Sequence, residues 1–148
     1  MIDLPLLEYD LQTRAPANGM TQVFDPVRRI WVALRPEEHV RQLLLAYLIR
    51  ELQYPPALMA VERGLSFGHT ILRFDIAVYH RDTHEPWMLV ECKAPDCPIS
   101  DTTLQQLLQY HSKLPLCRYW LITNGHQTFC ADAGQKEDIK WLNALPAY

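Results

Sequence analysis

Ile71-Leu72-Arg73-Phe74-Asp75-Ile76-Ala77-Val78-Tyr79 and Trp87-Met88-Leu89-Val90-Glu91-Cys92-Lys93-Ala94 are the two runs on which the reading of this sequence turns. Between them lies Arg81-Asp82-Thr83-His84-Glu85-Pro86, a polar turn ending in Pro, so the pair predicts a β-hairpin. Centred on Thr83, the hairpin sets Asp75 opposite Glu91 and Arg73 opposite Lys93. Leu72, Phe74, Ile76 and Val78 then share an apolar face with Met88, Val90 and Cys92, while Arg73, Asp75, Glu91 and Lys93 share the other. A slip of one residue would drive charges into the apolar layer, so this register is strongly specified. Facing Cβ atoms lie ~4.5–5.5 Å apart, where two carboxylates repel. A hard divalent cation is the simplest relief, because Mg²⁺ requires oxygen ligands at short distance. Lys93 beside the pair could then orient a water or stabilise charge developing on a phosphate. The plainer reading is a surface ladder in which each acid pairs with a neighbouring Arg or Lys.

Outward from the hairpin, Leu58–Phe67 reads as a preceding strand, closed by Gly68. Pro36 opens a helix with Glu37 and Glu38 at its positive end, and Pro55-Pro56 stops it. Val40, Leu43, Leu44, Tyr47 and Leu48 form its stripe, with Glu37 on the edge of the stripe and Glu38 pointing away. Phe24–Leu34 suits a short extended segment. Ser100 or Asp101 can cap a second helix that runs to about Lys113 on Leu104, Leu107 and Leu108. Arg118–Thr123 and Gln127–Ala131 read as strands around the turn Asn124-Gly125, and Asp138–Leu145 as a closing helix. The first ~20 residues lack periodicity, which predicts an extended or mobile arm (1–20) before a single domain (21–148).

Composition narrows the class. The 148 residues, 49% hydrophobic, suffice for one domain with a real core. No apolar run approaches the ~20 residues of a membrane span. Met1-Ile2-Asp3-Leu4-Pro5 has neither a basic start nor an apolar stretch, so no export signal is read there, and the cytoplasm is the expected compartment. Cys92, Cys97, Cys117 and Cys130 form no CxxC pair, which predicts reduced thiols and argues against a zinc site. The six histidines are scattered, and the one pair at H-x-x-x-H spacing, His80 and His84, falls at the polar turn. A net charge of −3 opposes tight non-specific nucleic-acid binding, although Arg28, Arg29, Arg35, Arg41 and Arg50 form a local excess against Glu37 and Glu38.

Asp75, then Glu91 and Lys93, resemble the PD-(D/E)xK nuclease motif, with Phe74 where Pro often stands. More of the chain joins in: Phe24-Asp25-Pro26-Val27-Arg28-Arg29, Leu34-Arg35-Pro36-Glu37-Glu38-His39-Val40-Arg41-Gln42, Val90-Glu91-Cys92-Lys93-Ala94-Pro95, Gln106-x-x-x-Tyr110 and Thr123-Asn124-Gly125. Together, over about Met20–Ala133, they resemble the N-terminal nuclease domain of type I restriction enzyme R subunits in its small stand-alone form. The Gln106-x-x-x-Tyr110 pair is similar to that of RecB-like nucleases. This resemblance implies an α/β fold with a restriction-endonuclease-like core, a mixed central β-sheet flanked by helices in the order αβββαβ. It also implies a Mg²⁺-dependent DNA endonuclease, with Mn²⁺ as substitute. Asp75, Glu91 and the Cys92 carbonyl would ligate the metal, with Glu37 as an outer ligand and Lys93 positioning the water or phosphate. Gln106, Tyr110, Arg73 and Arg41 would touch DNA or support the site. Implied partners are DNA, a specificity or motor subunit and a second copy of the chain, with no membrane. Motor activity cannot reside here, because no G-x-x-x-x-G-K-[ST] is present.

Plainer roles stand beside these. Lys93 could be a strand-end lysine, Glu37 a helix-dipole acid, Gln106 a solvated residue, Tyr110 and Cys92 core packing, and Asn124-Gly125 only a turn. The alternative for the whole domain is a non-catalytic nucleic-acid-binding or assembly module that retains the fold.

Overall fold

Tyr119-Trp120-Leu121-Ile122-Thr123 is buried at every position, so it can only lie inside a sheet covered on both faces. The computed structural model describes residues 1–134 and 138–148 and places that run as follows. In chain order the strands are β1 (Thr13–Arg14), β2 (Gln22–Asp25), β3 (Ile30–Ala33), β4 (Met59–Val61), β5 (Gly64–Phe67) and β6 (Thr70–Arg73), then β7 (Ile76–Tyr79), β8 (Pro86–Cys92), β9 (Tyr119–Thr123), β10 (Thr128–Asp132) and β11 (Lys140–Trp141). The helices are α1 (Pro36–Arg50) and α2 (Asp101–Gln109). A six-stranded sheet runs β11-β10-β9-β8-β7-β4, parallel only between β8 and β9. It is mixed and flanked by the two helices, the class expected from the sequence. β1-β2-β3 form a small antiparallel sheet, and β5-β6 a separate two-stranded ribbon.

Two apolar layers cover the large sheet. Val40, Leu43, Leu44, Leu45 and Leu48 of α1 meet Ile76, Val78, Met88, Val90, Cys92 and Leu121 on one face. Leu107 of α2 meets Ala77, Leu89, Trp120 and Ile122 on the other. Ser100 caps α2: its hydroxyl accepts from the Thr103 N–H, and the Thr103 side chain returns the contact to the Ser100 backbone. This helix ends at Gln109 and tightens into a 3₁₀ turn over Tyr110–Ser112 rather than continuing to Lys113.

The central hairpin keeps its register where it is paired: Ile76 faces Val90, Ala77 faces Leu89 and Val78 faces Met88. The expected strand Ile71–Tyr79, however, is two strands. β6 pairs with β5, so Arg73 faces Gly64 and not Lys93. Leu58–Phe67 divides likewise into β4 and β5. Both breaks fall at one level, where the Glu62 N–H donates to the Asp75 carbonyl at 3.1 Å and Glu62 adopts φ 54°. The ribbon rotates there. Leu72 and Phe74 consequently join the α2-side layer, whereas Ile76 and Val78 join the α1 side, so the seven apolar residues do not share one face.

Two further expectations change. Asp138–Leu145 is not a helix; Lys140–Trp141 pairs with the open edge of β10, and Leu142 N–H donates to the Cys130 carbonyl at 2.8 Å. An eight-residue helix is marginal in water, whereas an open strand edge offers partners immediately. The first residues are also anchored. Ile2 bridges to Thr128, and Leu6, in a 3₁₀ turn over Leu6–Glu8, is 0% exposed in the α1-side layer. Leu6→Ala should therefore cost roughly 2–5 kcal/mol in urea unfolding. An unchanged midpoint would mean that this turn contributes nothing to the core.

Candidate functional site

The carboxyl end of β8 carries Glu91 and then Lys93, whose ammonium bonds Glu91 Oε1. The Lys93 N–H donates to the Thr123 carbonyl at 2.8 Å, extending the parallel β8–β9 contact by one rung and fixing where the lysine leaves the sheet. Asp75 lies one residue before the last paired position, Ile76–Val90, and its N–H donates to the Val90 carbonyl at 3.0 Å. Its side chain turns back onto the neighbouring strand, where Oδ2 accepts the Cys92 N–H at 2.7 Å. Glu37, in the first turn of α1, completes the group. Burial first, and then the negative charge of Asp75, push its carboxyl above the ordinary range; Arg41 and Lys93 oppose this and Glu91 adds to it. Lys93 in turn is held charged above its ordinary range, chiefly by the hydrogen bond to Glu91, against partial burial. Glu37 and Lys93 thus both lie within range of the Asp75 and Glu91 charges at one end of the sheet.

Behind this group lies an ionic lattice, buried at Arg41, Glu38 and Asp25 and open to solvent at Glu62. Arg41, 4% exposed, donates to Asp75 Oδ1 at 2.6 Å, to Glu62 Oε1 at 3.1 Å and to Glu38. Glu38, 8% exposed, also accepts from Arg28, and Arg28 continues to Glu62 at 3.1 Å and to Asp25 Oδ2 at 2.8 Å. Gln42 closes the lattice on Asp25 at 2.8 Å. Burial works against the Arg41 charge, but the hydrogen bond to Asp75 and the surrounding carboxylates outweigh it and hold it raised. Glu38 therefore does not point away into solvent. The β2–β3 turn covers that side of α1, a second covering that a single apolar stripe does not reveal. The sequence reading gave Asp25, Arg28, Glu38 and Glu62 no role at the site, although the run Asp25-Pro26-Val27-Arg28 carried a signal, since Asp25 also caps its own turn through the Val27 and Arg28 N–H groups.

The other candidates are dispersed. Arg41 supports Asp75 and is too enclosed to meet a ligand directly. Gln106 is exposed on α2. Tyr110 packs edge-on against Phe74, with ring centroids 5.5 Å apart, and so braces the residue next to Asp75. Arg73 stands exposed on the β5–β6 ribbon. The Cys92 thiol is enclosed in the α1-side layer, and burial raises it well above the ordinary range. Asn124 does more than turn the chain: Oδ1 accepts the His126 and Gln127 N–H groups, while Nδ2 donates to the Cys97 carbonyl at 2.9 Å. It ties the segment after Lys93 to the β9–β10 turn. Gly125, at φ 90°, carries that turn past Val40 of α1.

Asp75, Glu91, Glu37 and the Cys92 carbonyl would form an all-oxygen donor set, which suits a hard divalent cation and not a thiophilic one. Among the described residues, no three His, Cys, Asp or Glu side chains already form a metal cage. Asp75 is closed by Arg41 and Glu91 by Lys93.

A family model described as the N terminus of the type I restriction enzyme R protein matches residues 36–146. Among solved structures, a fragment assigned as an HsdR subunit of a type I restriction enzyme from Vibrio vulnificus YJ016 superposes with a TM-score of 0.53 at 17% identity. That match covers 75% of this chain and 23% of the other, and it is a likeness of fold. No curated protein matches the sequence. No helix among the described residues is long and apolar enough to cross a membrane.

The lattice makes a stability prediction. Arg41→Met leaves Glu38 and Asp75 facing each other without their shared cation, and should cost about 3–5 kcal/mol in urea unfolding. Arg41→Met combined with Glu38→Leu should recover part of that loss. A single variant as stable as the wild type would show that the guanidinium is dispensable.

Proposed function

Because this chain belongs to the family of type I restriction enzyme R protein N termini, we propose that it is a Mg²⁺-dependent endonuclease domain that hydrolyses DNA phosphodiesters at Asp75, Glu91 and Lys93. What supports this reading is that Asp75 reaches the Cys92 N–H, Lys93 bonds Glu91, and Glu37 lies within range of their charges, all at the carboxyl end of β8. Asp75, Glu91 and the Cys92 carbonyl would hold the cation, and Glu37 would stand as an outer acid. When bound, such a cation supplies Lewis acidity and a more acidic water. The chain's own groups do the rest. Arg41 and the Cys92 N–H fix the Asp75 carboxylate from behind, so its orientation is set before any ligand arrives. Lys93 must leave Glu91 to act. Once released, its ammonium can donate to the scissile phosphate or orient the attacking water, where positive charge stabilises the pentavalent transition state.

A second reading is favoured by one observation: both central acids are already neutralised, Asp75 by Arg41 and Glu91 by Lys93. A chain that kept the fold as a nucleic-acid-binding or assembly module would look like this. It would bind DNA without turnover, indifferent to Glu91→Gln. A partner supplying specificity or motor activity also fits a chain that matches only 23% of an HsdR fragment.

Plasmid cleavage with Mg²⁺ separates these readings. Lys93→Ala should lower the rate by about 10²–10³-fold, the scale of losing one transition-state donor, and Asp75→Asn should reduce it to background. Calorimetry should detect Mg²⁺ or Mn²⁺ binding that Glu91→Gln weakens. Cleavage that survives both substitutions, or a wild-type chain that binds neither ion, would overturn the hydrolytic reading.

A further inference from the structure

The β5–β6 ribbon is unaccounted for by the core. Among the described residues it pairs with no other strand, and its turn, Gly68-His69, begins with Gly68 at φ 57°, the conformation a two-residue hairpin turn demands. Its root is rigid: Leu72 and Phe74 are buried in the α2-side layer, and Tyr110 packs on Phe74. Its outer face is not covered. Gly64 faces Arg73 and Ser66 faces Ile71, and all four are exposed, Ile71 by 70%. Ile71 lies across Gly64, where a Cβ would come within 2.5 Å of Ile71 Cγ2, so the glycine keeps this face low and flat.

Charge points to the occupant. In a chain of net charge −3, the stretch from Arg63 to Phe74 contains Arg63, His69 and Arg73 and no acid. Among the described residues, neither Arg63 nor Arg73 takes part in an ion pair, so both charges are open to a ligand. The ribbon also runs directly into Asp75. At ~3.3 Å per residue its turn stands roughly 20 Å from that carboxylate, on the order of a duplex diameter. A two-stranded ribbon fits the ~12 Å major groove of B-DNA.

We propose that the β5–β6 ribbon lies along double-stranded DNA beside the scissile phosphate, with Arg63 and Arg73 on backbone phosphates and the flat Gly64–Ser66–Ile71 face toward the groove. The assignment rests on the phosphodiester reading of the neighbouring site and names the element that would hold its substrate. The competing occupant is a protein surface docked on Ile71 and Phe67, which is 43% exposed.

Fluorescence anisotropy of a short labelled duplex, titrated with the full chain in EDTA at several salt concentrations, tests this without any cutting. Arg63→Ala with Arg73→Ala should weaken binding by at least ~10-fold and flatten the log–log salt dependence by about 1.8, the release of two phosphate contacts. Both side chains are exposed, so the urea midpoint should stay at the wild-type value. Wild-type affinity and salt slope in that variant would overturn the assignment. So would DNA binding unaffected by either pair of changes while Phe67→Ser with Ile71→Ser abolishes self-association in sedimentation. Ribbon-dependent binding without Mg²⁺-dependent cleavage would support the ribbon and defeat the hydrolytic reading. Cleavage by a ribbon variant that still binds like wild type would do the reverse.

Discussion

The Arg41 guanidinium is the constraint around which this molecule is arranged. It is a buried cation that touches Asp75, Glu62 and Glu38, three acids from three separate parts of the chain. A buried charge is tolerated only when it is paired and hydrogen-bonded. Hence α1 must lie where it does against the sheet, the β4–β5 bend must present Glu62, and the β2–β3 turn must bring Arg28 to balance Glu38. The apolar layers set the general position of α1, and the lattice selects its rotation.

The same contacts explain why a sheet can release a ribbon next to the site. Glu62 takes a left-handed backbone conformation, uncommon for a residue with a side chain. Its carboxylate is held by Arg28 and Arg41, and its N–H by the Asp75 carbonyl. The bend and the acid are therefore one structural feature. Asp75 stands at the point where the ribbon leaves the sheet, which frees its side chain to reach the Cys92 N–H.

What could be read in advance follows from what a period of two or 3.6 encodes. The pairing of Ile76–Val78 with Met88–Val90 was legible because every alternate residue had to be apolar. Glu91 and Lys93 at a strand end and Ser100 as a helix cap were legible for similarly local reasons. The rotation between Arg73 and Ile76 was not, because Leu72, Phe74, Ile76 and Val78 alternate identically on a straight strand and on a twisted one. Choosing Glu37 over Glu38 as the inward acid used one buried face, but α1 has two, the second covered by elements distant in sequence. Trp141 and Lys140 pair at an edge that exists only once β10 has formed. The Asn124 side chain, similarly, has a task only after Cys97 has been brought beside it.

The segment that matches the family model begins at Pro36, the first residue of α1. Yet Asp25 and Arg28 lie before it and are bonded to Gln42 and Glu38 within it. The matched segment and the electrostatic unit therefore begin at different places. A recombinant fragment trimmed to the former would expose the polar flank of its first helix and leave Glu38 with half its counter-charge, so the smallest self-sufficient unit has to start upstream of the β2–β3 hairpin.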